Sequence, residues 1–347
     1  LDPTQGLVWG DAGVALHHQA RLQEDMAAQP GGVTSAPQAP ATTTLFAAAT
    51  TATTALKAAA SRAVRRGLRL EPTSDWLWAC AGGFAADCGE APPSGDAAAE
   101  AEFCFTRALQ LNPKRAATWT ALGRLYARMG AAPLAQRCFE QGRTQEPTLV
   151  AVWEGMGHVA AAASSAVGDG AWCDMLDAHE HALGLGGGPE SWLAVATGAL
   201  LAGRGGDGET FAAAAKAASQ MPLLAGARGV HGLAAEARGR YADAVRAYTT
   251  ARVLLDTAAS APPADGLLAP ALQCCTPAPG LAGPAGDAHA PATLRAALSL
   301  NLARALARSG EWQQALQEFD ALGGAEAVAA AKASAGPVAP GGKGWPL

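Results

Sequence analysis

WTALGRLYARMGAAPLAQRCFEQGRTQEP, residues 119–147, decides the fold. Trp119, Leu122, Gly123 and Tyr126 stand at i, i+3, i+4 and i+7, which is one face of a helix. Ala135, Phe139 and Gly142 stand at i, i+4 and i+7 on a second helix. Gly123 and Ala135 are small where two antiparallel helices must approach closely. Pro147 cannot continue the second helix and marks the turn into whatever follows.

The unit recurs. The spacing Pro-x5-Trp-x3-Gly occurs at Pro3/Trp9/Gly13, Pro72/Trp78/Gly82, Pro113/Trp119/Gly123 and Pro147/Trp153/Gly157. A Leu-acidic/Asn-Pro triplet leads into three of these: LDP at 1–3, LEP at 70–72 and LNP at 111–113. The order W-x2-L-G-x2-Y, A-x3-F, P over about 34 residues is the tetratricopeptide signature. The resemblance implies an all-α, right-handed superhelical solenoid of about seven helix pairs, each resting on its neighbours.

Outward from residues 119–147 the register loosens. Repeat one has its first helix from about Gly6 to Leu22 and its second from about Thr53 to Leu70, with an insertion of about 25–50 expected to be disordered. Repeat two starts at Thr73, swells at 88–97, and puts Ala101, Phe105 and Ala108 in the second-helix places. Repeat four has helices around Trp153–Ala163 and in AWCDMLDAHEHALGL, then a loose end at GGGP, 186–189. Repeat five is degenerate. Repeat six carries His231 and Gly232 in the Leu-Gly places and Ala244, Tyr248 and Ala251 on its second helix. A Pro/Gly/Ala-rich insertion at about 256–291 precedes repeat seven, with Leu302, Leu306, Ala315 and Phe319 in register. The solenoid is therefore expected over 1–322 and a disordered Ala/Gly/Pro-rich tail over 323–347. The chain opens on Leu1-Asp2-Pro3, the close of a repeat, without Met, and neither end has a polar capping helix. It reads as a piece of a longer array.

Bulk properties narrow the class. Half of the residues are apolar, mostly alanine, and aromatics are only 5%, which suits closely packed helices better than a sandwich of strands. A net charge of −5, from 25 basic and 30 acidic residues, gives no general drive toward nucleic acid or an anionic membrane. The longest apolar run, Trp192 to Ala202, is too short to span a bilayer. Seven cysteines contain no CxxC pair, and Cys104 and Cys138 each precede a repeat phenylalanine (Phe105, Phe139), so they read as small buried hydrophobes.

Motifs for chemistry are scarce. GxSxG, HExxH and Walker A patterns are absent, and Gly341-Gly342-Lys343-Gly344 lacks the Ser/Thr and the spacing of a phosphate loop. No cofactor or metal is expected. Asp177 and His181 stand at i, i+4, with His179 between them and His158 one helix away, but without identifiable further ligands they read as an exposed polar face. Arg62, Arg65, Arg66 and Arg69 form a basic stripe near a helix C-terminus, where the dipole favours cations, and no aromatics interleave it for base stacking. The tryptophans, glycines and phenylalanines of the signature read as structural. The concave groove lined by first helices is the default place for a peptide. A chaperone-type carboxylate clamp is disfavoured, because the only asparagines, Asn112 and Asn301, lie far apart in sequence.

Beyond the generic repeat, ALQLNPKRAATWTALGRLYARMGAAPLAQRCFEQGRTQEPTLVAVWEGM (108–156), HGLAAEARGRYADAVRAYTTAR (231–252) and SLNLARALARSGEWQQALQEF (299–319), in that order, resemble the tetratricopeptide scaffold subunit of the superkiller (Ski) complex in its plant-type form. The resemblance covers roughly 70–322. The chain departs from that family in its long insertions and its shorter length. The resemblance implies a non-catalytic scaffold in a hetero-oligomeric complex, cytoplasmic, with the nucleus as the second compartment. Its partners would be a DExH RNA helicase and WD40-repeat subunits, supporting exosome-mediated 3′-to-5′ mRNA decay. A tetratricopeptide adaptor of a ubiquitin ligase or ciliary assembly, or the arm of an enzyme such as a glycosyltransferase, remain the alternatives.

Overall fold

The computed structural model describes residues 5–28, 41–87, 95–167, 170–257 and 291–321. Among them every regular element is a helix: α1 (Gly6–Ala28), α2 (Ala41–Leu70), α3 (Asp75–Asp87), α4 (Gly95–Leu111), α5 (Ala116–Arg128), α6 (Ala132–Gln145), α7 (Val150–Val167), α8 (Gly170–Gly184), α9 (Pro189–Leu201), α10 (Gly208–Gln220), α11 (Ala225–Ala237), α12 (Tyr241–Thr257), α13 (Pro291–Ser309) and α14 (Trp312–Ala321). The fold is all-α and of the tetratricopeptide type. Two compact units divide the chain, Leu1–Ala162 and Ala163–Leu347.

In the first unit, α1 packs on α2, α3 on α4 and α5 on α6, and α4 also contacts α5, so successive pairs stack. Between pairs two and three, Phe105, Leu109, Leu122, Leu125 and Cys138 are buried together, with Trp119 and Tyr126 partly buried against them. Phe139, wholly buried, sits with Ala135, Val152 and Val159. Each such side chain contributes about 1.5–3 kcal/mol on leaving water.

In the second unit α9 packs on α10, α11 on α12 and α13 on α14. Its core is built mostly of alanine around a few large residues, Leu193, Val230, Tyr248, Leu298 and Leu302. Alanine has the highest helix propensity and lets helix axes approach closely, so this half holds its fold with few aromatics.

Among the described residues, the turns inside pairs three, five, six and seven are closed by one device. In the intact unit, Gly130 takes φ +74° and the Ala131 N–H donates to Tyr126 O at 2.9 Å, which caps α5. The same six-residue bond recurs from Arg204 to Ala199, Arg240 to Ala235 and Glu311 to Leu306. It also closes α8: Gly186 lies at φ +95° and the Gly187 N–H donates to Ala182 O at 2.8 Å. The GGGP run is thus a tight stop and not the loose end expected. Gly186 is there because the cap needs a left-handed residue.

Helix bounds correct three segments expected to be disordered. The described first helix runs to Ala28 and the second starts at Ala41, well before Thr53. From Ala41 to Arg66 the sequence has neither Gly nor Pro, and its alanines offset the modest helix cost of threonine. Likewise α4 begins at Gly95, α12 reaches Thr257 and α13 starts at Pro291. What remains of those segments (29–40, 88–94 and 258–290) and the tail from 322 lies outside the described residues, as does the side chain of Phe319.

Candidate ligand-binding cleft

The signature residues are consumed in holding pairs together. Trp78 Nε1 donates to Pro72 O at 2.9 Å, Trp119 Nε1 to Pro113 O at 2.8 Å and Trp153 Nε1 to Pro147 O at 2.8 Å. The fixed Pro-x5-Trp spacing is therefore the reach of one hydrogen bond, from the first turn of a helix back to the turn between pairs. Gly82 and Gly123 stand where a Cβ would lie 2.8 Å from the Phe105 ring and 2.9 Å from the Phe139 ring. Leu122 and Ala135 are buried, as is Gly157. The Tyr126 hydroxyl donates to Glu102 Oε1 at 2.7 Å, and burial together with that carboxylate pushes its pKa up to about 12. One partner in this set was not legible in the sequence. Gly155, two residues before the signature glycine, also abuts Phe139, with an added Cβ 2.2 Å from Cε1.

Pair six repeats the plan with changed residues. Gly232 stands where a Cβ would lie 2.5 Å from the Tyr248 ring, so Tyr248 takes the phenylalanine place. Its hydroxyl donates to Glu236 Oε2 at 3.2 Å. Glu236, 5% exposed, also receives Arg304 Nε at 2.6 Å and Nη2 at 2.8 Å, with Arg308 at 3.4 Å. A tyrosine in this core place thus brings its own acceptor, and the acceptor brings two cations.

The tryptophan place of pair six is Arg228, six residues after Pro222 and four before Gly232. No indole fills the space, and a cleft of about 340 Å³ opens over α11 between α10 and α12. Phe211 of α10 forms one wall, Arg228 and His231 the floor, and Asp243, Arg246 and Ala247 of α12 the other wall. Arg228 Nε is buried with no hydrogen-bond partner among the described residues. Arg240, at the turn, lies with its guanidinium 4.9 Å from the Phe211 ring centre, and Arg238 lies 5.5 Å away. The His231 ring stands 5.2 Å from the same phenyl.

The cleft is electropositive. Its carboxylate, Asp243, is already engaged: Oδ2 receives Arg240 at 2.6 Å and Oδ1 receives Arg246. The Arg246 hydrogen bond, aided by Arg240, holds Asp243 below the usual carboxylate range. Burial, reinforced by Arg228 and Arg240 and opposed by Asp243, lowers the His231 pKa, so this imidazole is neutral at pH 7. The Thr250 hydroxyl at the rim bonds Ala247 O and Arg246 O of its own helix. The arrangement offers donors to an anion but pairs no nucleophile with a base.

The other candidates resolve differently. In the arginine stripe, Arg65 pairs with Glu100 at 2.6 Å and Arg66 covers the Trp9 ring at 4.2 Å, while Arg62 and Arg69 are exposed. On α8, Asp177 and His181 are exposed but His179 is wholly buried on the opposite side. Among the described residues no three His, Cys, Asp or Glu side chains converge as a metal site. Cys104 and Cys138 are buried and burial pushes both thiols up to about 11. Asn112 bonds Asp75 at 3.0 Å and Asn301 is buried. No described helix is long and apolar enough to cross a membrane.

No protein-family model matches the chain, and no curated protein matches it in sequence. Solved structures are similar to it. YrrB, described as a TPR protein with an unusual peptide-binding site, is 14% identical over 63% of this chain and 90% of its own, with a TM-score of 0.47. PilW, a type IV pilus biogenesis factor, is 17% identical over 61% and 89%, with a TM-score of 0.46. The APC/C hetero-tetramer Cut9–Hcn1 is 14% identical over 80% of this chain and 45% of that one, with a TM-score of 0.46. At these identities the likeness concerns helix-pair architecture alone.

Proposed function

We propose that the chain is a non-catalytic protein-interaction scaffold. The observation that carries this reading is the cleft of pair six. It is an open, cation-lined recess with no nucleophile and base in register, set in a framework whose signature residues are spent on internal packing. Such a surface binds and does not transform. The finer reading is a scaffold subunit of a superkiller-type complex, holding a DExH RNA helicase and WD40-repeat subunits in the cytoplasm. Its support is the ordered resemblance of segments 108–156, 231–252 and 299–319. Affinity purification of the full-length protein tests both levels. Helicase and WD40 subunits are expected among the stoichiometric partners. A different stable set keeps the scaffold and removes the superkiller assignment, and recovery of the protein alone overturns the scaffold.

A further inference from the structure

The cleft over α11 continues into a second hollow of about 460 Å³, which shares Arg240 and Asp243 with it and runs past Tyr241 to Arg308 at the end of α13. Arg228, Arg246, Arg240 and Arg308 mark this track in turn. Asp243 is the one carboxylate lining either hollow among the described residues, and both of its oxygens are occupied. Arg308 is the one cation of the four near a second acid, 3.4 Å from Glu236, which Arg304 already holds in a two-point contact. Positive charge along the track is therefore not balanced from within. At its inner end Arg228 Nε, buried and without a partner, is a donor that nothing in the described fold satisfies. A buried donor left so costs free energy that a ligand acceptor recovers.

We propose that this track docks an acidic peptide segment, with Asp or Glu carboxylates on the guanidiniums and a neighbouring apolar side chain against Ala247 and the edge of Phe211. This rests on the scaffold reading and names the class of partner. Two adjoining hollows suit an extended chain better than a single small ion. Guanidiniums accept carboxylates through two parallel hydrogen bonds. Nucleic acid is the poorer fit. Stacking successive bases needs a row of open rings, whereas Phe211 is flanked by Arg238, Arg240 and His231, which leaves Tyr241 alone. The site lies between the second helices α10 and α12, with the first helix α11 as its floor.

The test uses the full chain and fluorescence anisotropy with three labelled probes: a short peptide of Asp and Glu around Leu, its twin with Asn and Gln, and an oligouridine. The acidic peptide is expected to bind about tenfold tighter than its twin, more weakly as salt rises. Arg228→Trp restores the indole found in pairs two to four and fills the cleft. Arg246→Gln removes a cation whose side chain is 79% exposed. Each is expected to weaken the acidic peptide several-fold without lowering the melting temperature. Equal binding of the two peptides, tighter binding of oligouridine, or unchanged binding by Arg228→Trp overturns the proposal. Partners that still co-purify with Arg228→Trp would show that the scaffold stands while this track is not its docking site.

Discussion

Removing the Glu236 carboxylate should cost pair six far more than a surface charge would. In Glu236→Ala the Tyr248 hydroxyl, on a wholly buried ring, loses its acceptor at 3.2 Å, and Arg304 loses a two-point contact at 2.6 and 2.8 Å. Breaking a fully buried pair costs about 3–5 kcal/mol. The Arg304 side chain is 38% exposed, so water recovers part of that and about 2–3 kcal/mol remains. The acceptor lost to the Tyr248 hydroxyl adds about 1 kcal/mol. Urea unfolding followed by far-UV circular dichroism reads the sum as a drop of about 3–4 kcal/mol at unchanged slope. Tyr248→Phe should cost about 1 kcal/mol in the wild type and less beside Glu236→Ala, where Arg304 still bonds the hydroxyl. Replacing the acid and its two-point partner together, Glu236→Leu with Arg304→Met, should bring stability back to within about 1 kcal/mol of wild type, because the closely held pair then leaves as a unit. A Glu236→Ala loss under about 1 kcal/mol, or a double variant no better than the single one, would refute this account of the network.

Four further outcomes follow from the first unit. Gly155→Ala should destabilise by about 1–2 kcal/mol in a thermal scan even though alanine favours helix, since its Cβ would sit 2.2 Å from the buried Phe139 ring. Gly83→Ala, whose Cβ meets open space, should stabilise by about 0.5–1 kcal/mol, and equal signs for the two would refute the packing argument. Trp119→Phe removes the donor to Pro113 and should cost about 1–2 kcal/mol, with faster amide exchange at the start of α5 as the second readout. Asp87 accepts His17 at 2.8 Å, and that hydrogen bond, with Arg21 and Lys57 and against burial, holds its pKa below the usual 3.8. A lowered folded-state pKa stabilises above the unfolded value and is lost as pH falls through the folded one. Asp87→Asn should therefore be about 1 kcal/mol less stable at pH 7 and lose less on acidification below about pH 4, as urea midpoints at the two pH values will show.

The fold was legible where one residue type does one geometric job at a fixed distance. Pro-x5-Trp is such a case, because the carbonyl after a helix and the indole of the next lie one bond apart. Gly82 and Gly123 were legible for the same reason: only a missing Cβ admits the ring opposite. Gly155 was not, since its partner ring lies on the preceding pair and no fixed spacing joins the two. The start of α2 was misplaced because Thr/Ala composition says little about helix or coil until packing is known. The cleft did leave a trace, as Pro222-x5-Arg228-x3-Gly232 keeps two residues of the pattern and changes the third. That the change opens a space, and that Phe211 and Arg246 close around it, depends on neighbouring helices and shows only in three dimensions.

The indole-to-carbonyl bond also bears on where this chain can grow. Each such bond closes a loop across the junction between pairs, spanning only the residues from the proline to the tryptophan, so extra residues there would break it. Among the described residues no indole-to-carbonyl bond crosses the hairpin inside a pair. In sequence, the Pro/Gly-rich insertions at about 25–50 and 88–97 fall inside pairs one and two. The stretch 258–290 precedes pair seven, where the register of Leu302, Leu306 and Ala315 puts Thr293 in the proline's place and Ser299 in the tryptophan's. Length variation has been admitted where no clasp exists. A tag or loop grafted into the hairpins of pairs one and two should leave the ladder's register intact, while the junctions at Pro72, Pro113 and Pro147 should refuse one.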